Sequence, residues 1–152
     1  LPIKDHEFVL GKYLAILTLL EVALLLTGVM FVNLVFVGTN IDYGAIFTGY
    51  LGLFLAGAVY ASMGLFASSL TDNQVVGFII AIFFVLIFFL IDKLLIFMPH
   101  SIAGTMQYLS IDYHLSNISK GVLDTRNLIY FFSMITLFIM LTIESLNSRK
   151  WN

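Results

Sequence analysis

Few side chains in this sequence are spaced to do chemistry, and each candidate fails on its neighbours. His6-Glu7 would open a zinc-protease helix if a second histidine followed four residues after the first, but Leu10 stands there. The two-histidine face that such a metal needs is therefore missing. His100 and His114 have no carboxylate or histidine partner at ligand spacing, so no metal site is expected. Ala61-Ser62-Met63-Gly64 lacks the first glycine of a nucleophile elbow. No Walker-type phosphate loop occurs, so the chain is not expected to bind and hydrolyse ATP by that route. Asn117-Ile118-Ser119 has the form of a glycosylation sequon and reads as chance.

The remaining polar residues lie in or between apolar runs. Glu21 sits about two turns inside the first such run, where an ionised carboxylate costs roughly 3 kcal/mol in lipid. With Asn33 it could line a translocation path or meet a cation. The plainer reading is a side chain that reaches back to the interface or is neutralised by burial. Asp92-Lys93 reads as interfacial anchoring, and Tyr108, Tyr113, Tyr130 and Trp151 as an aromatic belt. The corner Leu70-Thr71-Asp72-Asn73-Gln74, with Ser68 and Ser69 ahead of it, gathers hydrogen-bonding side chains where two helices end. Such side chains cap helices, and they also dock partners.

These residues are carried by lipid-compatible elements. Apolar residues make up 61% of the 152-residue chain and charged residues 11%, against roughly 25% charged in soluble domains. Mean hydropathy is +1.04. From Val75 to Ile91 there is no charge, and fifteen of seventeen residues are Val, Ile, Leu or Phe, a gain of about 5 to 9 kcal/mol on insertion. The pattern predicts an all-α integral membrane protein and a single transmembrane domain over 1–152. It has four transmembrane helices, at about 13–37, 45–69, 75–97 and 127–143. A polar approach covers residues 1–12. A short interfacial or re-entrant helix falls in an external region at about 100–126, with Asp112 as its N-cap and Leu115, Ile118 and Val122 on its apolar face. Gly52, Gly57, Ala61, Gly64 and Ser68 give the second span the small-residue spacing that lets helices approach closely.

No signal-peptide pattern is visible, and four spans of this length leave no room for a soluble catalytic domain. The absence of cysteine excludes disulfides and thiolate metal sites. A net charge of −2 gives no reason to expect nucleic acid. Lys4, Lys12, Arg149 and Lys150 near the two ends outnumber Lys93, Lys120 and Arg126 in the loops opposite, so both ends are expected on the cytoplasmic side.

Taken in order, several stretches resemble a known family. They are Leu1-Pro2-Ile3 followed by Val9-Leu10-Gly11-Lys12-Tyr13, Gly49-Tyr50-Leu51-Gly52-Leu53, and Gly64 through Gln74. Tyr108-Leu109-Ser110, His114-Leu115, Lys120-Gly121-Val122, Asp124-Thr125-Arg126 and Arg149-Lys150-Trp151 follow. Together they resemble the last four spans of a six-span type-2 ABC exporter permease, most like the gliding-motility-associated permeases of Bacteroidetes. The first two spans and most of the coupling helix of that family would lie ahead of Leu1.

The resemblance implies a subunit of the bacterial inner membrane that dimerises with a second permease subunit and pairs with ABC ATPase subunits. ATP and Mg would belong to the ATPase, with no cofactor in this chain. The ATPase-coupling contact would involve Leu1, Pro2, Ile3, Lys4, Gly11 and Lys12, with Thr71, Asp72 and Gln74 at the corner. Tyr113, His114, Lys120, Gly121 and Asp124 would form the external gate. The alternative is a non-transporting membrane scaffold of a motility or secretion complex. No charge ring or aromatic cage that would select a substrate is legible.

Overall fold

The structure, a computed structural model, describes residues 4–38, 40–121 and 123–150; Leu1, Pro2, Ile3, Val122 and Trp151 lie outside the described residues. The described chain is all-helical, with no strand. Its order is α1 (Asp5–Val37), α2 (Tyr43–Ser69), α3 (Gln74–Leu94), a 3-10 turn (Leu95–Phe97), α4 (His100–Gln107), α5 (Ile111–Ser119) and α6 (Thr125–Lys150). Four of these, α1, α2, α6 and α3 with its 3-10 extension, are long and apolar enough to cross a membrane.

Each boundary has a local cause. Asp42 caps α2 by accepting from Ala45 N at 3.1 Å, and Asn73 caps α3 by accepting from Val75 N at 2.9 Å. Asn40 takes φ 57° in the turn between α1 and α2, a conformation asparagine tolerates better than most residues. α1 starts at Asp5 rather than Tyr13, because a helix does not have to begin where the apolar run begins. Asp5 and Glu7 fill its first turn, where carboxylates favour the positive end of the helix dipole. The backbone N–H of Lys4 donates to Glu7 Oε2 at 3.3 Å. For the same reason α6 runs beyond Ile143 to Lys150.

α2 is the hub and touches α1, α3, α5 and α6. One core packs Leu55, Val59 and Met63 of α2 against Ile111 and Ile118 of α5 and Phe131, Met134 and Phe138 of α6. Phe84 and Phe88 of α3 and Phe66 of α2 surround Phe138 at centroid distances of 6.0–6.2 Å, within the range of favourable edge and tilted ring packing. A second, smaller core joins Val9 and Tyr13 of α1 to Ala58 and Leu65 of α2 and Ile139 of α6. The Tyr13 hydroxyl donates to the Ala58 carbonyl at 2.7 Å.

Between α3 and α6 the chain forms two short helices, α4 and α5, rather than the one expected, and α5 packs against α2. Ile111, His114 and Ile118 are its buried residues. Gly52 makes room for it: a Cβ there would stand 2.9 Å from Leu115 Cδ1 and 3.2 Å from Ile118 Cγ2. Ser110, not Asp112, caps α5, its hydroxyl accepting from Tyr113 N at 3.3 Å. Asp112 instead pairs with Lys93 Nζ at 3.3 Å and so ties α5 to the end of α3.

Candidate functional site

The antiparallel path of the helices sorts the polar residues into two ends of the bundle. At one end lie the start of α1, the corner between α2 and α3, and the end of α6. The core around Val9, Leu65 and Leu146 joins them, and Ser145 Oγ donates to the Ser69 carbonyl at 3.2 Å. Lys4 caps α1. Lys12 is exposed, with Nζ 5.8 Å from the centre of the Phe8 ring, and nothing comes within 4 Å of a Cβ added to Gly11.

Ser68, Thr71, Asp72, Asn73 and Gln74 line a hollow of about 270 Å³ floored by Gly64, Gly77, Phe78 and Ala81. Part of its polarity serves the turn: Asn73 N donates to Thr71 Oγ1 at 3.2 Å, and Asn73 caps α3. Ser69 Oγ is turned inward and donates to the Phe66 carbonyl at 2.6 Å. A Cβ added to Gly77 would come 3.6 Å from Ser68 Cα, ordinary van der Waals contact between α2 and α3 beside the hollow.

At the other end His114 organises a hydrogen-bonded aromatic cluster. Its ring is buried. Nε2 donates to the Tyr108 carbonyl at 2.9 Å, and Nδ1 lies 2.6 Å from Asn127 Oδ1. Tyr130 stacks on the imidazole at a centroid distance of 3.8 Å and an interplanar angle of 17°. The Tyr130 hydroxyl donates to the Leu109 carbonyl at 2.6 Å. Tyr113 and Tyr108 complete the cluster by edge contacts. This arrangement fixes the α4–α5 segment, the cap of the bundle, to the start of α6. Its members hold one another through these hydrogen bonds and ring contacts.

Lys120, Gly121 and Asp124 lie beyond α5, in the turn to α6. Gly121 has φ +91° beside Ala45, a left-handed conformation that favours glycine. Asp124 Oδ1 accepts from Arg126 N at 3.0 Å and opens α6. Asn127, buried within the cluster, carried no sequence signal beyond its position at the start of the fourth apolar run.

Between the ends, Glu21 and Asn33 are both exposed on α1 but do not meet. Glu21 faces α2 in a groove that Asn33 does not line. A Cβ on Gly57 would come 2.6 Å from Leu20 Cδ2, making Gly57 the close approach between α1 and α2, and Ala61 packs with the second core. Nothing lies within 4 Å of a Cβ added to Gly64, and Ser68 is exposed at the hollow. Among the described residues no group of three or more His, Cys, Asp or Glu could hold a metal, and no buried side-chain polar atom lacks a partner.

Fold and composition thus define a helical bundle with four candidate membrane spans and two polar ends. The chain matches no family model, no curated protein and no solved structure.

Proposed function

We propose that this chain is the last four spans of a membrane permease moved by ATP hydrolysis in partner ATPase subunits. It would lie in the bacterial inner membrane, paired with a second permease subunit, with both ends of the four-span unit cytoplasmic. Four helices long and apolar enough to cross a bilayer support the membrane reading. The observation that carries the coupling is the gathering, at one end, of the start of α1, the corner hollow and the end of α6. A partner that pushes there acts on all four long helices at once. Two helical arrangements of similar energy could then be exchanged by nucleotide in the partner. The sequence resemblance supplies the identity of that partner.

The test is to solubilise the protein from its native membranes with its complexes intact and identify what copurifies. An ATPase subunit is expected, and a substitution of its Walker lysine should abolish transport while leaving the complex assembled. Recovery of an oligomer of this chain alone, active without ATP, would end the permease reading.

A further inference from the structure

The groove between α1 and α2 has a composition that its polar ends lack. Its volume is about 610 Å³, within the size of small-molecule sites. From α1 it is lined by Glu21, Leu24, Leu25, Gly28 and Phe31, the i, i+3, i+4, i+7 and i+10 positions of one helical face. The facing stripe of α2 adds Tyr43, Phe47, Tyr50 and Phe54, so five aromatic rings share a wall with one carboxylate. Helix-to-helix contacts brace this wall. The Tyr50 hydroxyl accepts from Thr27 Oγ1 at 3.0 Å and donates to the Thr27 carbonyl at 3.2 Å, and Phe31 meets Tyr43 edge-on at 6.1 Å.

Glu21 is the central residue of the 33-residue α1, about 24 Å from either end at 1.5 Å per residue. Among the described residues no cation forms an ion pair with it. No Lys, Arg or His occurs between Lys12 and Lys93, and Lys93 is engaged with Asp112. A carboxylate at membrane depth demands either a proton or a cation from outside. Aromatic faces attract cations through their quadrupole, most strongly where water is excluded. Apolar walls with a single charged group suit a ligand that is greasy and singly positive.

We propose that the α1–α2 groove binds a lipophilic organic cation, with Glu21 pairing its charge and Phe31, Tyr43, Phe47, Tyr50 and Phe54 enclosing its apolar body. This site goes beyond the permease reading and does not rest on it, since binding is measured without ATP or partner.

The test is equilibrium binding of tetraphenylphosphonium to the purified full chain in lipid nanodiscs, competed with neutral triphenylphosphine oxide. Saturable binding is expected, with the neutral compound a poor competitor. Glu21→Gln should weaken binding at least about tenfold, equivalent to 1.4 kcal/mol, while Glu21→Asp should retain most of it. Phe47→Leu should weaken it about threefold, the loss of one ring face. Glu144→Gln, an exposed carboxylate on α6, should bind like wild type. Elution volume and helical circular dichroism check that each variant is folded. Unchanged affinity in a folded Glu21→Gln protein would overturn the proposal. So would equal competition by the neutral compound, or no saturable binding to wild type, the result expected if a partner's cation matches Glu21.

Discussion

α1 and α2 lie side by side, yet they are opposite kinds of helix. α2 buries eleven of its 27 residues and α1 only two of 33, Val9 and Tyr13, although α1 has the more apolar candidate span. Burial here follows shape. Gly52 and Gly57 admit Leu115, Ile118 and Leu20 to the backbone of α2. α1 offers large side chains such as Leu26, Met30 and Phe36 outward instead. In lipid, where greasiness does not drive helices together, close packing at small residues does. The difference separates a well-packed hub from a peripheral helix whose outer half lies beside the groove.

The strongest way to break this contrast is to remove one phenylalanine from each region. Phe131 is 0% exposed against the α2–α5–α6 core and Phe36 is 84% exposed. Phe131→Ala should cost about 3–5 kcal/mol and Phe36→Ala within about 0.5 kcal/mol, read from denaturant titrations in micelles. Equal losses would mean that α1 is as tightly packed as the core. Next, Gly52→Ile should cost about 1–3 kcal/mol by overpacking against the stiff, buried Ile118. Gly11→Ala has open space around it and should stabilise by up to about 1 kcal/mol through helix propensity. Thermal unfolding of the two variants should therefore shift in opposite directions.

A comparable loss is expected in the cap. His114→Phe keeps the stack on Tyr130 but strips partners from Asn127 and the Tyr108 carbonyl, costing about 1–3 kcal/mol. His100→Ala, at an exposed site, should be silent. A smaller loss is expected of Asp112→Asn. The Lys93–Asp112 pair is more than a third exposed on both sides, so its loss should stay below about 1 kcal/mol and shrink with added salt.

The long helices were legible in the sequence because each apolar run exceeds what a soluble core element needs. Their ends were not. Asp5, His6 and Glu7 read as a polar approach, yet they make the first turn of α1, since backbone hydrogen bonding continues past the apolar stretch. The position of α5 was hidden as well. Leu115 and Ile118 suggested a helix lying on the membrane, but the depression they fill exists only once Gly52 faces them. The corner and the cap could be found as polar clusters. The buried partnership of His114 with Asn127 could not, because it depends on how α5 turns toward α6. Least visible was the aromatic groove, whose two stripes come from different helices and become one wall only through their antiparallel register.

The absence of cysteine gives the membrane arrangement a clean test. Single cysteines replace Gln74 at the corner and Gly104 on exposed α4, and intact cells are treated with a membrane-impermeant maleimide. The account predicts that Gly104→Cys is labelled in intact cells and Gln74→Cys only after the membrane is opened. Labelling of both from outside, or of Gln74→Cys alone, would contradict it.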